Sequence, residues 1–306
     1  MDTDPQPAAQ RRRAILFVLG SSFSFVLVAG CVKLASAEIP VMEMVLFRNV
    51  FALVLLAPLV ARQGGWAVLR TRRPLGHVAR GLAGFVGMIG AFYGYAHLPL
   101  AAVTALGFAM PLFLALLSVP LLNERVTPAR AVSIGAGLLG VLLVIRPWEG
   151  AEGLPLGPTA IVLVGVAAWA LSMITIRHMG RSGERNLTIV VLFALFCTAM
   201  STVLAIPVWI TPRAGLWLPL IGIGLISGVA QLLMTEGYRS GEASMLAPFE
   251  YSAIVYTIAL AWAVWGETPG PWDTIGIATL IAAGLFTWWR ETRPARLDGP
   301  TGGQAT

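Results

Sequence analysis

Long apolar runs alternate with short polar breaks along almost the whole chain. Cutting at charges and at Pro/Gly clusters leaves ten apolar segments, near residues 14–34, 41–61, 76–97, 100–122, 129–146, 156–176, 187–210, 216–237, 244–265 and 272–289. Most reach the length of about 20 residues that a helix needs to cross a bilayer. Inside lipid a backbone must satisfy its own hydrogen bonds, so open runs of this length predict helices and not strands. The pattern therefore predicts an all-α integral membrane protein with ten transmembrane helices. No polar break is long enough for a soluble domain. Residues 1–10 and 294–306 are polar and rich in Pro, Gly and small side chains, which predicts disordered tails.

Composition agrees with this reading and narrows it. Of 306 residues, 57% are hydrophobic and 12% charged, against about 25% charged in a soluble domain. The net charge of +6 is scattered as short clusters between apolar runs, which excludes a nucleic-acid groove. Basic residues concentrate on the cytoplasmic side of membrane proteins. With the N-terminus inside, 17 of the 21 Lys and Arg residues fall on the cytoplasmic side, in the breaks or at segment ends, Arg80 among them. Three (Lys33, Arg146 and Arg213) fall outside, and Arg48 lies within a span. Both termini are then cytoplasmic. Trp148, Trp209, Trp217, Trp265 and Trp272 fall at expected outer ends, as an interfacial aromatic belt does.

Five spans per half make the halves opposite in orientation, so a related pair would form an inverted repeat. Leu16–Ser24 resembles Ile161–Trp169, and the loop at 123–128 resembles that at 266–269. The units expected are 14–146 and 156–289. Glu124 and Glu267 would oppose the dipole of the helix they follow, so each is expected either to face the start of the next helix or to be an ordinary loop residue.

Several apparent motifs lack their context. Gly135, Gly137 and Gly140 spell G-x-G-x-x-G inside a helical run, where the strand of a dinucleotide fold is missing. Close helix packing is the expectation there, as for Gly81, Gly84, Gly87 and Gly90, and for Gly224 with Gly228. Cys31 follows a lipoprotein-like Val28-Ala29-Gly30, but the apolar run is longer than a signal core. An uncleaved first span is expected. No nucleotide-hydrolysis motif, cofactor site or metal-ligand spacing is visible. The three histidines read as loop residues, and an enzyme is not expected.

Function is sought in polar residues within spans, which are costly there and mark pathways by default. Glu250 and Tyr251 lie behind Pro248, whose ring frees nearby helix backbone groups. Arg48 lies in the second span, with Glu43 nearer its outer end. Trp169 is mid-span, and Tyr93 is in the third span with Tyr95 at its interface. Candidate substrate contacts are thus Glu250, Tyr251, Arg48, Trp169 and Tyr93. Arg48 reads equally as an ion-pair partner of Glu43 or Glu250, and Trp169 and Tyr93 as packing residues.

Phe47-Arg48, the run from Arg80-Gly81-Leu82 to Pro99, Met110-Pro111-Leu112-Phe113 with Asn123-Glu124-Arg125, and Ala247-Pro248-Phe249-Glu250-Tyr251 with Gly266-Glu267 together resemble the EamA family of the drug/metabolite transporter superfamily. The most similar branch includes S-adenosylmethionine and riboflavin carriers. The resemblance implies two inverted five-helix repeats around a central cavity and residence in a bacterial inner membrane. It also implies secondary-active, alternating-access transport of a small metabolite, amino-acid-, nucleoside- or cofactor-like. Expected partners are that substrate, the lipid bilayer and a candidate coupling proton, in a monomer or homodimer. The alternative is a non-transporting membrane subunit or a membrane-embedded enzyme.

Overall fold

The computed structural model describes residues 8–110, 112–113, 116–117, 128–240, 246 and 249–292. Glu124, Pro248 and the 294–306 tail lie outside the described residues. Among the described residues every regular element is helical. The α-helices are α1 (Ala8–Ala35), α2 (Val41–Arg62), α3 (Pro74–His97), α4 (Leu100–Gly107), α5 (Pro128–Ile145), α6 (Leu156–Arg181), α7 (Asn186–Ala205), α8 (Trp217–Ser240), α9 (Ser252–Trp265) and α10 (Pro271–Thr292). Short 3-10 turns connect some of them.

Helix starts follow local chemistry. Pro74 and Pro271 open α3 and α10, where the missing N–H costs nothing. The α9 helix ends at Gly266, whose φ of +67° is left-handed. Among the described residues six helices are long and apolar enough to cross a membrane: α1, α2, α3, α6, α7 and α8. Large apolar side chains such as Leu16, Val54, Val164, Val203, Val255 and Trp262 point outward. An apolar exterior of this extent matches a lipid-facing surface.

The helices pack mainly across the chain's midpoint. α1 lies along α8, α3 along α6, α5 along α10, and α2 against both α7 and α8, while α4 meets α9. Small residues set these approaches. A Cβ on Gly90 would stand 2.7 Å from the Cα of Gly165 and 2.9 Å from the Ile161 carbonyl oxygen. A Cβ on Gly140 would stand 3.0 Å from the Gly276 carbonyl oxygen. Within the G-x-G-x-x-G run, Gly137 and Gly140 thus touch neighbours, whereas Gly135 faces open space.

Among the described residues, two large apolar clusters and two small ones form the interior. One large cluster joins α4, α5, α9 and α10, with Leu106, Val144, Ile254 and Leu280 at its centre. The other large cluster joins α1, α2, α3, α7 and α8, with Val32, Met44, Met88 and Ile223. Tyr95 packs against both, so it sits between clusters and not at the interface that its place near the end of α3 predicts.

Candidate functional site

The α2 helix buries two polar side chains, Glu43 and Asn49. Glu43 is 0% exposed, and its Oε1 accepts the Ile210 N–H at 2.5 Å. Asn49 is equally buried and donates from Nδ2 to the Val45 carbonyl oxygen at 2.7 Å. Its Oδ1 accepts from Arg48 Nη1 at 3.0 Å. Asn49 was not singled out by sequence, since one amide in an apolar span gives no sign of the arginine it orients.

Arg80 departs most from expectation. Counted among cytoplasmic charges, it is 3% exposed, inside the bundle. Its guanidinium lies 3.9 Å from the Phe193 ring centroid and 5.7 Å from that of Trp169. The reason is local: Gly84, one turn along α3, leaves room where a Cβ would collide with Arg80 Nη1. The side chain therefore runs inward along the helix and stacks on aromatic faces of α6 and α7. Asn49 also places Nδ2 3.8 Å from Met88 Sδ of α3, and Phe47, Phe85, Met88, Phe193 and Cys197 share one cluster, so Arg48 and Arg80 flank the same interior.

The five residues proposed from sequence separate into three places. Trp169 and Arg48 lie around Arg80. Tyr251 stands at the start of α9, its ring edge-on to Phe108 at 4.9 Å, with Gly284 of α10 giving it space. Glu250 precedes it in sequence. Tyr93 stacks on His97 at 4.0 Å near the end of α3.

Polar links join chain segments at both ends of the bundle. At the tryptophan-rich end Lys33 pairs with Glu267, and Glu38 with Arg213. Arg146 reaches Asp273 at 3.5 Å, and Trp148 meets Trp272 edge-on at 6.2 Å. The expectation that Glu267 faces the start of the following helix is corrected here. Asp273 accepts the Gly270 N–H at that helix start, at 3.0 Å, while Lys33 takes Glu267. At the other end Glu184 accepts from Thr71 Oγ1 at 2.8 Å and from the Arg72 N–H at 3.1 Å. His77 Nε2 stands 3.7 Å from its second oxygen. Burial raises the Glu184 pKa, but these hydrogen bonds and His77 together outweigh it and hold the carboxyl below its ordinary value.

Long apolar helices with buried charges and charged links at both ends define a multi-pass membrane protein built to carry polar groups inside. The chain belongs to the EamA-like transporter family, whose model matches residues 12–146 and again 158–289. It is similar to the pseudopaline exporter CntI of Pseudomonas aeruginosa, 28% identical over 89% of this chain and 94% of that one. The riboflavin transporter of Vibrio cholerae is 27% identical over 92% and 95%. The S-adenosylmethionine uptake transporter of Rickettsia prowazekii is 28% identical over 82% and 84%. A solved crystal structure shares the fold, with a TM-score of 0.64 at 18% identity over 92% of this chain and 99% of that chain. The protein is thus a membrane transporter of a small molecule, as the resemblance in its sequence implies.

Proposed function

We propose that the chain is a secondary-active carrier that moves a small metabolite by alternating access between two inverted five-helix repeats, 14–146 and 156–289. The packing pattern carries this reading. Adding five to each helix number turns the α1–α8 contact into α6–α3, and turns α2–α7, α4–α9 and α5–α10 into themselves. Gly20 on α1 and Gly165 on α6 occupy matching positions of the two halves, and Gly20 faces α8, where an added Cβ would meet the Leu233 side chain at 3.4 Å. A two-fold axis in the membrane plane generates such pairs and gives two equivalent gates. The charged links at the two ends are suited to those gates, because water can replace each partner when an end opens. Glu250 with Tyr251, Arg48 with Trp169, and Tyr93 are the proposed substrate contacts, and a proton is the proposed coupling ion. Both termini are proposed to be cytoplasmic, in a bacterial inner membrane and in a monomer or homodimer. The named relatives move three different cargoes, so their names point to metabolites as a class.

The test is counterflow in proteoliposomes against a panel of radiolabelled amino acids, nucleosides and cofactors. Uptake above empty liposomes for at least one compound is expected. No uptake for any, from protein that stays monodisperse, overturns the reading.

A further inference from the structure

We propose that Arg80 and Arg48 form an oxyanion site between α2, α3, α6 and α7, which takes a carboxylate or phosphate group of the carried metabolite. This deepens the transporter reading and rests on it for the identity of the ligand as cargo.

Arg80 is almost fully enclosed, and its Nε and Nη1 have no hydrogen-bond partner in the protein. The Phe193 and Trp169 rings engage the guanidinium as a cation over their faces. Cation–π contact leaves N–H groups to be satisfied by hydrogen bonds, and buried unmet donors on a charged group are costly. A guanidinium stays charged in any protein setting, so loss of its proton does not remove that cost. Among the described residues no carboxylate pairs with either Arg80 or Arg48. The nearest acid along α2, Glu43, has one oxygen committed to the Ile210 N–H. Arg48 uses one N–H on Asn49, which orients it and leaves further donors.

Two like charges that flank one apolar interior repel, and low polarity strengthens the repulsion. An anion between them reverses that sign and supplies acceptors for the unmet donors. Carboxylate and phosphate groups each present two oxygens at a spacing that a guanidinium fork can engage. The walls are apolar, with Phe85, Met88 and Phe193 in the same cluster. A ligand with an anionic head and an apolar body suits this lining.

The experiment uses the full chain in detergent, titrated at constant ionic strength with benzoate, phenyl phosphate and neutral benzamide, while the thermal unfolding midpoint is followed. Benzoate, phenyl phosphate or both should raise the midpoint in a saturable way, and benzamide should not; whichever acts identifies the preferred headgroup. In R80Q the binding should weaken at least ~10-fold, and R80K should retain more than R80Q. If R80Q does not fold, R48Q and the wild-type contrast between benzoate and benzamide carry the test. No saturable stabilisation of wild type by either anion, or stabilisation unchanged in the arginine variants, overturns the site. Liposome counterflow with those negative results would leave the transporter reading standing. Arginine-dependent anion binding without counterflow would support the site and count against the carrier.

Discussion

Lys33, near the end of α1, pairs with Glu267 beyond the end of α9, and the Lys33 ammonium lies 5.1 Å from the centre of the Trp265 ring. The two partners are 234 positions apart in sequence, so the contact ties the end of α1 to the end of α9. K33M should destabilise the fold, because it leaves a half-buried carboxylate without its cation. K33M/E267Q should be less harmful than the sum of the single changes. A double-mutant cycle on unfolding in detergent should give about 0.5–1 kcal/mol of coupling. Strict additivity would show that the pair is energetically idle.

Gly90 tests the contact between α3 and α6. In G90A the new methyl meets backbone on two sides, and backbone cannot swing aside as a flexible side chain does. A loss of about 1–3 kcal/mol is expected, as for overpacked interiors. G135A adds a methyl in open space, so its helix propensity should dominate and stability should hold or rise by up to ~1 kcal/mol. Similar losses in both variants would contradict the close approach.

Glu184 predicts an acid-sensitive strap. Its carboxyl is held below the ordinary value of 4.5 in the folded protein. A depressed folded pKa contributes stability above the unfolded value, lost as pH falls through the folded one. The stability gap between wild type and E184Q should therefore be constant near neutrality and shrink below about pH 4.5. Midpoints followed across pH 3–8 decide this; a gap that widens on acidification would reverse the sign of the argument.

E250Q removes charge but keeps shape. Expression and gel-filtration profile should match wild type, with transport reduced at least ~10-fold, equal to about 1.4 kcal/mol. E267Q should transport better than E250Q. Wild-type transport by E250Q across pH 5–8 would make Glu250 structural, and failure of the protein to accumulate would make it an anchor.

Orientation is checked by impermeant thiol labelling in a background with both Cys31 and Cys197 replaced. A cysteine at exposed Ala37 should label in intact cells, and one at exposed Ser182 should not. The reverse pattern would invert the proposed topology.

The six helices of membrane length among the described residues were legible because each is a largely apolar run closed by Pro, Gly or charge; the segments 100–122 and 244–265 gave the shorter described helices Leu100–Gly107 and Ser252–Trp265. The 76–97 segment became Pro74–His97, and 187–210 became Asn186–Ala205 followed by a 3-10 turn. The buried charges were less so. Six residues into α3, Arg80 reads as a cytoplasmic charge, and only Gly84, Phe193 and Trp169 show that its side chain turns inward. Glu267 looked like a helix-start residue because its true partner, Lys33, lies at the far end of the chain. Local sequence records where a charge begins, while its destination depends on neighbours from other segments.

The interlacing of helices bears on the order of synthesis. α1, α3 and α5 each find their most extensive partner among α8, α6 and α10, none of which exists when the ribosome has made only the first five helices. Arg80 meets Phe193 and Trp169 from elements encoded about a hundred residues later. The early helices must therefore wait in the membrane with a guanidinium not yet covered, and a nascent half has no finished interior of its own. The unit that repeats in the sequence is thus half of what folds.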